Sequence, residues 1–157
     1  SECTPLTRAI IKQDGKNFSA LIKKRENLNE NGAEALFEAI YHDRLFMLRQ
    51  LLLAGADDTL PNPNDNTPIA YAESLGKKEA IRIMLEHLFS QGLSFDEAIE
   101  TAITYGYLNT VEVLLTFQDK ERIKFLKLLQ TAQSNNQNSI FNFLLLKSPQ
   151  LLEIEEE

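Results

Sequence analysis

Apolar residues along the chain recur every three or four positions, in short blocks divided by Gly, Asn, Asp or Pro. Leu48, Leu51 and Leu52 form one such block, and Val111, Leu114 and Leu115 form another. This spacing puts the apolar side chains on one helical face, whereas a half-buried strand would alternate. Helices are therefore predicted over 18–24, 45–53, 78–88, 108–116 and 138–146. Each is too apolar to stand alone and must be flanked by neighbours, as happens when helix pairs stack.

A second pattern lies over the first. Apolar anchors at Leu6, Leu36, Ile69, Ile99 and Leu129 are each followed three residues later by an alanine: Ala9, Ala39, Ala72, Ala102 and Ala132. Both series step by 30, 33, 30 and 30 residues. Four residues after each alanine stands a turn position, occupied by Gln13, Asp43, Gly76, Gly106 and Asn136. Gly, Asn and Asp tolerate the left-handed backbone that a sharp helix–helix turn needs. Gln13 breaks the rule, and because Asp14-Gly15 follows it, the first turn is expected to be shifted and slightly longer.

Helix starts are marked as well. Thr4-Pro5 and Thr67-Pro68 place a capping hydroxyl before a proline at the first helical position. Ser94-Phe95-Asp96-Glu97 reads as a capping box. Asp119 is expected to cap the last pair, whose first helix is predicted from about Lys120 to Ser134. Residues 54–66 form the one long connection. The predicted fold is all-α: a solenoid of about five stacked helix-turn-helix repeats, in a single domain over 1–150, with an acidic tail over 151–157 that is expected to fray.

Two stretches carry a family resemblance. One is Thr67-Pro68-Ile69, then Ala72, Gly76 and Ile83-Met84-Leu85; the other is Leu51-Leu52-Leu53-Ala54-Gly55-Ala56-Asp57. Together they make residues 34–88 resemble the ankyrin repeat. The likeness is weaker over 93–116 and is mostly periodicity over 1–25 and 120–147. Where the family pattern has a histidine, this chain has Thr7, Phe37, Ala70, Glu100 and Gln130. Only 54–66 has the length and the Gly-Ala-Asp of the family's β-hairpin finger.

The resemblance implies a protein partner held on the concave side, which the first helix of each pair would line. The inner positions would be Arg8, Glu38, Tyr71, Thr101 and Thr131. The positions beside the turns would be Ile11-Lys12, Tyr41-His42, Ser74-Leu75, Thr104-Tyr105 and Ser134-Asn135. Of the four tyrosines, Tyr41, Tyr71 and Tyr105 fall on these positions and Tyr107 lies just past Gly106. Tyrosine offers a large contact area with a polar tip, which suits an interface, although such rings can also pack locally. Leu60 and Leu75 are expected to be exposed beside them. The expected partner-binding set is Tyr41, His42, Asp58, Leu60, Asn62, Asn64, Tyr71, Ser74, Leu75, Thr101, Tyr105 and Tyr107.

Charge narrows the partner. The net charge is −7, but residues 1–25 carry six basic and two acidic residues, a balance of +4, which leaves −11 on the remainder. An acidic body repels phosphate backbones, so nucleic acid is not expected, and a protein with a basic rim is. No run approaches the roughly 18 apolar residues of a membrane span. A lone cysteine, Cys3, excludes an intrachain disulfide and fits a reducing compartment. The two histidines, His42 and His87, stand 45 residues apart with no metal-binding spacing around them. No nucleophile has a neighbouring base, and no glycine-rich phosphate loop is present. No catalytic residue, cofactor or metal is therefore expected.

The expected function is a non-catalytic, monomeric adaptor in the cytoplasm. The glutamate-rich end also resembles the C-terminal signals of bacterial effectors acting in a host cytosol. The start, Ser1-Glu2-Cys3-Thr4-Pro5, lacks a methionine, so the chain is expected to be trimmed, tagged or cut from a longer one. That leaves an alternative: a regulatory or substrate-targeting ankyrin domain of a longer enzyme. An unrecognised enzyme on the same scaffold is the least expected outcome.

Overall fold

The protein is described by a computed structural model covering residues 3–148. Among these residues there are ten α-helices and no strand. The helices are α1 (Pro5–Ile11), α2 (Gly15–Lys24), α3 (Glu30–Tyr41), α4 (Leu45–Leu53), α5 (Pro68–Leu75), α6 (Lys78–Ser90), α7 (Phe95–Tyr105), α8 (Leu108–Leu114), α9 (Phe125–Ser134) and α10 (Asn138–Lys147). They form five consecutive pairs. The chain divides into two compact units, Ser1–Ser90 and Gln91–Glu157.

In the first unit, α1, α3 and α5 pack side by side as one layer, and α2, α4 and α6 as the other. Leu6, Ile10, Leu36, Ile40, Leu48, Leu51 and Ile81 are fully buried between the layers. In the second unit α7 packs on α9 and α8 on α10, around Ile99, Ile103, Leu114 and Leu144. Each of these side chains contributes on the order of 2 kcal/mol through removal of apolar surface from water.

All five pairs turn in the same way. The N–H of the residue after each turn position donates to the carbonyl of the repeat's alanine. These bonds are Asp14→Ala9, Arg44→Ala39, Lys77→Ala72, Tyr107→Ala102 and Gln137→Ala132, at 2.8 to 2.9 Å. The turn residue itself donates to the carbonyl after that alanine, as from Asp43 to Ile40 and from Gly106 to Ile103. This is the Schellman arrangement, which satisfies carbonyls that a helix end leaves open. It needs a left-handed residue at the turn, and Gln13, Asp43, Gly76, Gly106 and Asn136 all have φ between +55° and +77°. The alanines are buried, Ala39, Ala72 and Ala132 completely.

The first turn corrects the sequence expectation. Gln13 is itself left-handed at φ 55°, and the turn is neither shifted nor lengthened. Gly15 opens α2 instead, behind Asp14, whose carboxylate caps the helix by accepting the Asn17 N–H at 3.1 Å. The tertiary packing of Ala9 and Ile10 fixes the turn's place, and Gln13 adopts the conformation the turn demands.

The predicted caps are present at three sites. Thr4 Oγ1 accepts the Thr7 N–H, Thr67 Oγ1 the Ala70 N–H, and Ser94 Oγ the Glu97 N–H. Asp119 does not cap the last pair, and its first helix is not continuous from Lys120. A single 3-10 turn at Lys120–Arg122 ends at Ile123, which is extended and buried, and α9 begins only at Phe125. Burial of both Ile123 and Phe125 requires this break, since neighbours two apart on a helix face different directions.

Two substitutions test where the first turn lies. Gln13→Gly should stabilise the protein by on the order of 0.5 kcal/mol, as the relieved left-handed strain exceeds the added chain entropy. Gly15→Ala should also stabilise it by about 0.5 kcal/mol, because Gly15 is helical with open space around its Cα. Urea titration checks both, and a loss of stability in Gly15→Ala would return the turn to Asp14-Gly15.

Candidate functional site

The repeating turn projects the residues around it. In the first unit Tyr41 ends α3 and is 56% exposed, while Ser74 and Leu75 end α5, Leu75 at 40%. His42 is half-buried, edge-on to the Tyr41 ring at 5.0 Å, with Nε2 3.2 Å from the Glu38 carboxylate. Tyr71 lies less open than the sequence suggested. Its ring meets Phe37 edge-to-face at 5.5 Å, so part of it is packing. Partial burial, and then the nearby Glu38 charge, pushes its phenol above the ordinary range.

These side chains are held by links between adjacent repeats, each built from the residue following the turn. Arg44 donates from Nε to the Ile10 carbonyl at 3.1 Å and from Nη2 to the Ile11 carbonyl at 2.9 Å. Its cation thus meets the carbonyl end of α1, where the helix dipole favours it. Lys77 Nζ lies 2.9 Å from the Asp43 carboxylate. In the second unit Gln137 Nε2 donates to the Thr104 carbonyl at 3.3 Å. Sequence reasoning missed these three residues. The signal was their common place, one residue after each turn.

The second unit carries its own candidates. Tyr105 is 67% exposed and stacks on the half-buried Tyr107, with ring centres 5.7 Å apart. Thr101 is exposed one turn before Tyr105 on α7.

The 54–66 connection brings together Asp58, Leu60, Asn62 and Asn64. It forms no strand-paired hairpin among the described residues. Asn62 organises its tip instead: the side-chain Oδ1 accepts the N–H groups of Asn64 and Asn66, both at 3.0 Å. Two main-chain bonds, from Asn62 N–H to Asn66 O and from Asp65 N–H to Asn62 O, close the turn. The base is fixed by the Asp57 N–H donating to Asn29 Oδ1 at 2.7 Å. Asn64 is exposed, but Leu60 and Asn62 are half-buried, so Leu60 is not the free apolar residue the sequence suggested.

Two adjacent carboxylates in this loop titrate in opposite directions. The Thr59 hydroxyl and N–H hold Asp57 below its ordinary value. Burial pushes Asp58 up, although the His87 charge pulls it the other way. Asp58 lines a groove of about 240 Å³ with Thr59, Thr67, Ile69, Met84 and Leu88.

No group of three or more His, Cys, Asp or Glu residues suited to a metal exists among the described residues. Burial, and then the Glu34 carboxylate, raises the Cys3 thiol, which disfavours the nucleophilic thiolate. No helix among the described residues is long and apolar enough to cross a membrane. The acidic tail at 151–157 lies outside the described residues.

Consecutive helix pairs with left-handed turns behind buried alanines match the fold of ankyrin-repeat structures. Among solved structures, the chain is similar to the crystal structure of the human ASB11 ankyrin repeat domain. The two superpose with a TM-score of 0.53 at 22% identity, over 91% of this chain and 68% of that one. No family model matches the sequence, and no curated protein matches it. The likeness is one of fold, carried by the stacked pairs more than by shared residues.

Two variants probe the long loop. Asn62→Ala should leave the helices intact and speed amide exchange at Asn64 and Asn66 by about fivefold, as on the order of 1 kcal/mol of local hydrogen bonding is lost. Exchange measured by NMR reads this directly. Asp58→Asn should raise the melting temperature at pH 7 and not at pH 3. The folded carboxyl titrates above its ordinary 3.8, so its burial penalty sets in as pH rises through that window. A variant less stable at pH 7 would mean that the attraction to His87 outweighs burial.

Proposed function

We propose that this chain is a non-catalytic protein–protein interaction module. In this reading it takes its partner on the exposed turn ends of the first unit, Tyr41, His42, Tyr71, Ser74 and Leu75. The observation that carries it is the recurrence of an exposed apolar side chain at the same place in the repeat: Tyr41 and Leu75 stand open at consecutive turns of one unit. A few such anchors supply most of the energy of a typical interface. Glu38 beside Tyr71 favours a partner with a basic rim, through faster encounter more than through raw affinity.

Thr101, Tyr105 and Tyr107 form a second candidate contact on the other unit. Asp58, Leu60, Asn62 and Asn64 contribute through the shape of the loop. We further infer a monomeric adaptor working in the cytoplasm, which its single thiol favours. A role as an effector in a host cytosol draws its support from the glutamate-rich sequence of the tail.

The exposed anchors permit a clean test. Tyr41→Ala combined with Tyr105→Ala should lower capture of partner proteins from lysate by about tenfold, scored by quantitative mass spectrometry, with the melting temperature unchanged. Full capture by the double variant would move the binding surface away from the turns. Tyr71→Ala is the less informative choice, since loss of its contact with Phe37 would also lower stability.

A further inference from the structure

The first helix pair carries a groove that the proposed function does not use. It holds about 360 Å³ and is lined by α1, the first turn and α2 alone. Its floor is small and apolar, formed by Ala9 and Leu21, and its rim is cationic, with Arg8, Lys12 and Lys24 all exposed.

Two of the three cations on this rim are uncommitted. Lys12 and Lys24 make no hydrogen bond or ion pair among the described residues, and Arg8 makes one long contact, from Nη2 to the Cys3 carbonyl at 3.4 Å. The one carboxylate in the lining, Asp14, is engaged by Asn17, accepting its N–H at 3.1 Å and its side-chain amide at 2.7 Å. Elsewhere in the same unit Arg44 is engaged on the carbonyls of Ile10 and Ile11, Lys77 on Asp43, and Arg49 on Glu86. The groove also sits within the 25 residues whose balance is +4 in a chain of −7.

We propose that this groove is a second docking site, one that takes an acidic, leucine-containing segment of a partner protein. Charge complementarity selects the carboxylates: three exposed cations line the groove. The apolar floor selects alkyl groups between them. A nucleic acid fits less well. It tracks longer basic surfaces than the three cations of this groove provide. The site lies apart from the tyrosine-bearing turns and does not depend on their role. A chain with both surfaces could join a basic-rimmed partner to an acidic one.

The test uses the whole chain and a fluorescein-labelled ten-residue peptide, Glu-Glu-Leu-Glu-Glu-Leu-Glu-Glu-Leu-Glu. Binding is read by fluorescence anisotropy, and backbone NMR shifts on titration map the contact. The expected result is saturable binding, with shifts concentrated over residues 8–24. Affinity should fall about tenfold or more in the triple variant Arg8→Gln, Lys12→Gln, Lys24→Gln. These residues are exposed, so the variant should melt as the parent does, and circular dichroism verifies that it is folded. Equal binding by the parent and the folded variant, equal binding of a peptide with glutamine for glutamate, or shifts lying outside residues 8–24 would each overturn the proposal. Tighter binding of a single-stranded oligothymidylate than of the acidic peptide would do the same, and would make the groove a phosphate site instead.

Discussion

The constraint on which this structure depends is the hydrogen bond from the residue after each turn to a buried alanine carbonyl five residues earlier. A helix that ends inside a protein must find partners for its last carbonyls. Here the same partner is found five times, from Asp14, Arg44, Lys77, Tyr107 and Gln137. The bond requires a left-handed residue just before the donor. It also requires a small residue at the acceptor, because that carbonyl and its Cβ lie in close-packed interior between helices. Once both are in place, the second helix can only fold back along the first. The direction in which the turn residues point follows from this geometry.

That geometry also explains where side chains become available for contact. Residues at the end of each first helix cannot turn inward, because the alanine and its neighbours already fill the interior. Tyr41, Leu75 and Tyr105 therefore emerge into solvent. The donor residue itself is well placed to reach the preceding turn, which is how Arg44, Lys77 and Gln137 tie one repeat to another. Arg44 is the strongest of these links: a partly buried cation bonded to two carbonyls at a helix end contributes more than an exposed ion pair does. The long loop is an insertion into this plan, stabilised by its own Asn62 and tethered at Asn29, so its length does not disturb the register on either side.

What could be read from the sequence was whatever is repeated locally. Alanines at constant offset, turn residues that tolerate positive φ, and hydroxyl caps before proline each act within a few residues. Thr4, Thr67 and Ser94 did cap, and four of the five turn residues were of the expected types. Gln13 was misread because its type argues against a left-handed turn, and packing overrode that preference. The helix after Asp119 was misjudged for a similar reason: burial of both Ile123 and Phe125 outweighed helix continuity. Among the candidate contact residues, Tyr41, Leu75 and Tyr105 are as open as their positions implied, whereas Leu60 is half-buried and Tyr71 packs on Phe37 of the preceding repeat.

The sequence by itself determined the all-helical architecture, the number of pairs and the place of nearly every turn, because periodicity and backbone preference act through near neighbours. Tertiary structure alone decided which tyrosine packs and which stays open. It also decided that Arg44 joins two repeats, and that Arg8, Lys12 and Lys24 of the first pair line an open groove. Those outcomes depend on residues 30 or more positions apart meeting or failing to meet, as Arg44 meets Ile10 across 34 positions. No local preference encodes such encounters. They arise only when the stacked helices bring successive repeats into contact.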